Sequence, residues 1–195
     1  MSSTIVRCTP SDSEHVTGVV RRAFQDNPVT GWLGATMTDD VDRDRLFHEY
    51  FRVFVDHALQ RGQVEATADG HGVALWLLPD DEGPAEYEER MAAITGEYYP
   101  RFEALDSRMH AAHPEDRVHH LAFLAVEPGV QSRGHGTDLL LHHHATLDEQ
   151  GVPGYLEASA PRNRALYERM GYTLTGATID LPDGPSMWPM MKPPA

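Results

Sequence analysis

The stretch LAVEPGVQSRGHGTDLLLHHHATLDEQ, residues 124–150, opens apolar, turns at Glu127-Pro128-Gly129 and continues beyond Gly136 with helical spacing. Two glycines, Gly134 and Gly136, stand one residue apart where a strand hands over to a helix. Successive N–H groups at such a turn point outward together, and the helix start adds a positive dipole end. Glycine permits positive φ and lets a bulky anion approach the main chain. A phosphate or pyrophosphate is the natural occupant, and Arg133 within the turn adds charge. By itself, Gly-x-Gly is read equally well as a tight turn with no ligand.

Two nucleotide motifs fail here. A P-loop requires Gly-Lys-Ser/Thr, whereas this turn continues Gly136-Thr137-Asp138. A dinucleotide fingerprint needs a third glycine where Leu139 stands, and an early βαβ unit to hold it.

Working outward, Val118 to Val126 reads as a buried central strand. The helix from Gly134 to Gln150 stops at Gly151. Gly154 to Ser159 is the next strand, and a short helix follows from about Asn163 to Met170. Upstream, TIVR forms a first strand, and Thr9-Pro10-Ser11-Asp12 opens a helix that ends at Asn27-Pro28. Leu46, Phe47, Tyr50, Phe51, Phe54, Val55, Ala58 and Leu59 make one apolar helical stripe closed by Gly62. Val64–Thr67 and Val73–Leu78 read as a hairpin turning at Asp69-Gly70. Residues 84–112 are helical in pattern with a break near Tyr99-Pro100. Tyr172–Leu181 and Ser186–Met191 flank Pro182-Asp183-Gly184-Pro185 as a terminal hairpin. The fold class is α/β (α+β), a mixed sheet with helices on both faces.

The 195 residues are expected to form one domain, and 41% apolar composition suffices for a core. No run approaches the roughly 18 apolar residues of a membrane span, and no secretory signal is evident. Cys8 is the only cysteine, which excludes an internal disulfide and suits a cytoplasmic location. The net charge of −14 repels phosphate backbones, so nucleic acid is a poor partner, while a cationic small molecule is permitted. A homodimer is compatible with the sequence, and nothing in it demands one.

Val-Glu-Pro-Gly-Val-Gln-Ser-Arg-Gly-His-Gly resembles the acyl-CoA motif of the GNAT superfamily of N-acetyltransferases, Gln/Arg-x-x-Gly-x-Gly/Ala after a central strand. Tyr155–Ser159 and Asn163-Arg-Ala-Leu-Tyr167-Glu-Arg-Met-Gly-Tyr172 match that family's next strand and helix in order. Residues 156–195 are similar throughout to the C-terminal part of puromycin N-acetyltransferases, with fainter likeness upstream to the Leu46–Leu59 helix. The resemblance is weakest between Asp26 and Asp44 and between Gly83 and Asp116.

The resemblance implies a splayed sheet and acetyl-CoA as acyl donor. Backbone groups of Leu124, Ala125 and Val126 would pair with the pantetheine arm. N–H groups from Gln131, Ser132, Arg133, Gly134, His135, Gly136 and Thr137 would hold the pyrophosphate. The implied acceptor is a small-molecule primary amine, with an aminonucleoside antibiotic such as puromycin as one example; a peptide amine and an idle CoA-binding module are the alternatives. Direct attack of an amine on a thioester needs a neutral amine, a polarised carbonyl and a proton for the thiolate.

Asn163 and Tyr167, four apart, share a helix face toward the cofactor. Spacing alone makes Tyr167 a packed aromatic beside Met170; the motif makes it the acid. Adjacent on a strand, His119 and His120 face opposite ways. His120 is read either as the base that takes the amine proton or as a solvated strand-end histidine. Glu157, an acid in the apolar run Leu156-Glu157-Ala158, matches a glutamate of the puromycin enzymes, which implies that it binds the ammonium or relays its proton; the alternative is an exposed residue on the sheet face. Trp32, Tyr98, Tyr99 and Phe102 are candidate walls of the acceptor pocket, or ordinary core. Consecutive His142, His143 and His144 fan out by about 100° each and cannot converge on one ion. They and His110 and His113 are expected to be surface residues, with no metal bound.

Overall fold

The computed structural model describes residues 3–195. Its strands are β1 (Ile5–Arg7), β2 (Gln63–Thr67), β3 (Gly72–Leu77), β4 (His119–Val126), β5 (Gly154–Ala158), β6 (Thr173–Leu174), β7 (Ile179–Asp180) and β8 (Ser186–Lys192). The helices are α1 (Ser13–Phe24), α2 (Pro28–Leu33), α3 (Asp40–Arg61), α4 (Tyr87–Thr95), α5 (Tyr99–Ala112), α6 (His135–Gln150) and α7 (Pro161–Arg169). The strands form a mixed sheet in the order β1-β2-β3-β4-β5-β8-β6, with β7 also on β8. Only β4 and β5 run parallel. This is the expected architecture, an open mixed sheet flanked by helices.

Alternation along β3 builds two cores, one on each face. Val73 and Leu75 pack with Val16 and Val20 of α1, Phe51 and Val55 of α3, and Phe102 of α5. Ala74 and Trp76 pack with Leu139 and Leu140 of α6, Leu121, Leu156 and Tyr172. Burial of each large side chain contributes about 1.5–3 kcal/mol. Gly62 is required where α3 turns into β2. A Cβ there would lie 2.3 Å from the Trp76 carbonyl oxygen, a backbone atom. Gly62→Ala should therefore lose about 1–3 kcal/mol, read as a lower urea midpoint with unchanged slope.

Two local readings change. Asn27-Pro28 ends α1 but also starts α2: the Asn27 side chain accepts from the Val29 N–H at 2.9 Å, with proline in the first turn. The break in residues 84–112 falls at Gly96, φ +53°, and Tyr99-Pro100 starts α5 rather than interrupting it.

The site follows from how β4 and β5 part. They pair only at His119–Gly154 and His120–Tyr155. Immediately beyond, the register between β3 and β4 shifts, with Leu75 opposite Phe123 and Trp76 opposite Leu121, so Ala122 is extra. Such a bulge bends its strand and re-aims side chains. β8 occupies the other edge of β5 along its whole length. Residues 121–126 of β4 thus face the gap with an edge that β5 does not fill.

Candidate active site at the strand gap

Two cavities meet at this gap. One, about 350 Å3, lies between the sheet and helices α1–α5 and is walled by His120, Phe123, Glu157, Tyr87 and Asp106 among others. The other, about 420 Å3, lies beneath the glycine turn. Phe24, Asn27, Leu124, Asn163 and Tyr167 line both.

The second cavity gathers most of the residues singled out for the cofactor: Leu124, Val126, Gln131, Ser132, Gly134, His135, Gly136, Thr137, Asn163 and Tyr167. Gly134 caps α6 at φ +101°, and no side chain caps the helix. The first intrahelical bond runs from the Asp138 N–H to the Gly134 carbonyl, so the earlier N–H groups lack an intrahelical acceptor. A Cβ on Gly134 would meet nothing within 4 Å, leaving room beside those donors. Two residues stand apart from this set. Arg133 is exposed and does not line the cavity, whereas Arg162 of α7 does, its Nη2 donating to Ser132 Oγ at 2.7 Å. The Ala125 side chain is buried in the core, and Ala125 pairs with Val73 of β3.

In the first cavity, His120 of β4 and Glu157 of β5 form a buried ion pair, Nε2 to Oε2 at 2.8 Å. Burial works against the imidazolium, but the charge and hydrogen bond of Glu157 more than offset it, so His120 titrates above its ordinary value. Burial also opposes the Glu157 carboxylate; His120 wins there too and holds it below its ordinary value. Glu157 Oε1 is buried and has no hydrogen-bond partner among the described residues. An acceptor atom in that state is costly unless a ligand donates to it. His119 turns the other way: its Nδ1 lies 3.0 Å from His143 Nε2 and its Nε2 3.0 Å from Gln150 Oε1.

Tyr167 is buried at the junction with its ring against Tyr172, centroids 5.8 Å apart. Burial raises its phenol, which therefore stays protonated across the physiological range. Asn27 and Ser159, joined at 2.7 Å, tie the end of α1 to the end of β5 beside it. Glu127 is held by Arg22 through both oxygens, fastening the end of β4 to α1.

Several expectations need correction. Trp32, Tyr98, Tyr99 and Phe102 do not line the cavity beside Glu157. Phe102 is fully buried between Phe47 and Tyr50 because that face of α5 packs on α3. Trp32 packs on Gly184 with its indole N–H on the Pro182 carbonyl at 2.8 Å. Tyr98 lines a separate hollow with Arg43 and Glu49, and Tyr99 packs against the helical core. The α5 residues on the cavity are Leu105, Asp106 and Met109. The histidine run is not all at the surface. His142 is exposed, but His143 stacks on Trp76 at 3.9 Å and His144 packs on Tyr172. Position within α6 decides this, since its 143 and 144 face meets the sheet. Among the described residues no cluster of His, Cys, Asp or Glu has the arrangement to hold a metal ion.

Tyr87, Asp106, Asn27, Ser159 and Arg162 escaped the sequence reading. Only Asp106, an acid on a partly apolar helix, left any local signal.

The model of the acetyltransferase (GNAT) domain family matches residues 102–174, from α5 through the gap to β6. Over those residues the chain is similar to the GNAT acetyltransferase domain. By class it is an acetyl-CoA-dependent N-acetyltransferase. The chain is 27% identical over 188 residues to an uncharacterized N-acetyltransferase of Schizosaccharomyces pombe, covering 85% of this chain and 72% of that one. A solved Corynebacterium glutamicum structure described as histone acetyltransferase HPA2 and related acetyltransferase superposes with TM-score 0.75 at 27% identity, covering 100% and 98%. Arylalkylamine N-acetyltransferase 2 of Aedes aegypti shares the fold at TM-score 0.68 and 13% identity, covering 97% and 98%. No helix among the described residues is long and apolar enough to cross a membrane.

Proposed function

We propose that the chain transfers the acetyl group of acetyl-CoA to the primary amine of a small molecule by direct attack. The meeting of the two cavities at Tyr167 carries this reading. The turn from Gln131 to Thr137 would hold the diphosphate on its free N–H groups, with Arg162 adding charge from α7. The unfilled edge of β4 at Leu124–Val126 would pair with the pantetheine arm. Bound there, acetyl-CoA supplies an electrophilic thioester carbonyl beside Tyr167.

On the acceptor side, Glu157 Oε1 receives the substrate ammonium, and the neutral form of His120, reached above its raised titration point, takes one ammonium proton to leave a neutral amine and an imidazolium. Tyr167 then donates to the departing thiolate sulfur. The largely apolar cavity between the sheet and the helices favours a small molecule over a folded protein tail. An aminonucleoside such as puromycin is one candidate within that class, resting on the resemblance of residues 156–195 alone.

Thiol release measured with acetyl-CoA and a panel of puromycin, short alkyl and aryl amines, and peptides tests this. Turnover of small amines supports the reading; turnover of peptides alone, or tight CoA binding without turnover, overturns it. Glu157→Gln is expected to raise the amine KM by about 30-fold, as loss of one charge from a buried pair implies. It should also move the acid limb of the kcat/KM profile downward. Without the glutamate, burial, which lowers His120, is opposed only by the smaller influence of the Asp81 charge. An unmoved limb would take His120 out of the base role.

A further inference from the structure

The cavity beside Glu157 has a second polar feature on its opposite wall. The sheet wall carries His120 and Glu157; the helical wall carries Tyr87 of α4 and Asp106 of α5. The Tyr87 hydroxyl donates to Asp106 Oδ2 at 2.8 Å. Behind the pair lie aromatic rings: Tyr87 packs on Phe54 at 5.6 Å, and Phe54 on Tyr50 at 5.4 Å.

The charge balance of this cavity is uneven. Its acids are Glu82, Asp106 and Glu157, its only base is His120, and no lysine or arginine lines it. His120 is already committed to Glu157. Among the described residues no salt bridge includes Asp106, so a single phenol is what the fold gives it. Burial pushes the Asp106 carboxyl up to about 6, against the opposing hydrogen bond of Tyr87, so it is mostly ionised at neutral pH. A half-buried carboxylate without a counter-charge is unfavourable unless something brings one. Aromatic faces beside it suit a cation further.

We propose that Tyr87 and Asp106 form a distal subsite and that the acceptor is a diamine-type molecule, one amine acetylated near Glu157 and a second cationic group docked on Asp106. This rests on the reading of Glu157 as the anchor of the reacting amine. Specificity would then come from the span between two carboxylates separated by apolar wall, which a monoamine of equal length cannot satisfy.

The test is steady-state kinetics on linear diamines, monoamines of matched length and puromycin, with the full chain and with Asp106→Asn and Tyr87→Phe. The wild type should favour diamines over matched monoamines by about 30-fold in kcat/KM. Asp106→Asn should erase that preference through KM, leaving monoamine and puromycin kinetics within about threefold. The diamine KM should rise as pH falls through about 6, where Asp106 becomes neutral. Above that pH the amide should fold at least as well, since burial opposes the carboxylate; Tyr87→Phe, which keeps the charge, guards against misfolding by retaining part of the preference. Equal losses for monoamines and diamines, or a diamine preference surviving in Asp106→Asn, would overturn the subsite. Failure to acetylate any amine would instead sink the underlying acetyltransfer reading.

Discussion

Tyr167→Phe is expected to lower kcat by about 10²-fold or more while acetyl-CoA affinity stays within a few-fold. The substitution removes one oxygen and keeps the ring that packs on Tyr172. Folding should therefore be almost unaffected, and a thermal melt is the control. Tyr167 lines both cavities where they join, and in the proposed reading its hydroxyl is the proton source for the departing sulfur. Burial keeps it protonated, so the acid is present over the whole working range. A rapid-quench measurement separates the steps: chemistry should slow, and the binding of acetyl-CoA should not. Undiminished turnover would leave Tyr167 as a packed aromatic, which is what its spacing with Met170 suggests in isolation.

Gly134→Val should reduce coenzyme A affinity by about 10²-fold or more, measured by calorimetry. Two effects act together. A β-branched residue at φ +101° costs about 1–3 kcal/mol in backbone strain. If the loop keeps its shape, the isopropyl group occupies space that is open beside the first N–H groups of α6. If the loop relaxes, those donors lose their common aim. Gly129 provides the comparison. Its φ is +86°, a Cβ there would also meet nothing, and it does not line the cavity. Gly129→Val should carry a similar strain and leave affinity nearly intact. Equal affinity losses in the two variants would assign the effect to strain alone.

The residues gathered under the glycine turn were legible as neighbours in the sequence. Gly134, Gly136, Asn163 and Tyr167 are close in sequence to the elements they serve, so a strand–turn–helix pattern and one helical turn were enough to place them. The aromatic wall was misplaced for the opposite reason. Phe102 and Asp106 lie one helical turn apart on α5, and periodicity says that they share a side of the helix without saying what that side meets. In the fold, Phe102 enters the core against α3 and Asp106 opens on the cavity.

The sequence by itself determined the order of helices and strands, the glycine turn and the chemical types available, because each depends on spacings within a few residues. Only the tertiary structure decided that β4 and β5 separate after two pairs, that Glu157 meets His120 across 37 positions, and that Asp106 is left with one phenol for company. Those outcomes depend on which surfaces exclude water together, and that is a property of distant segments meeting rather than of any local run.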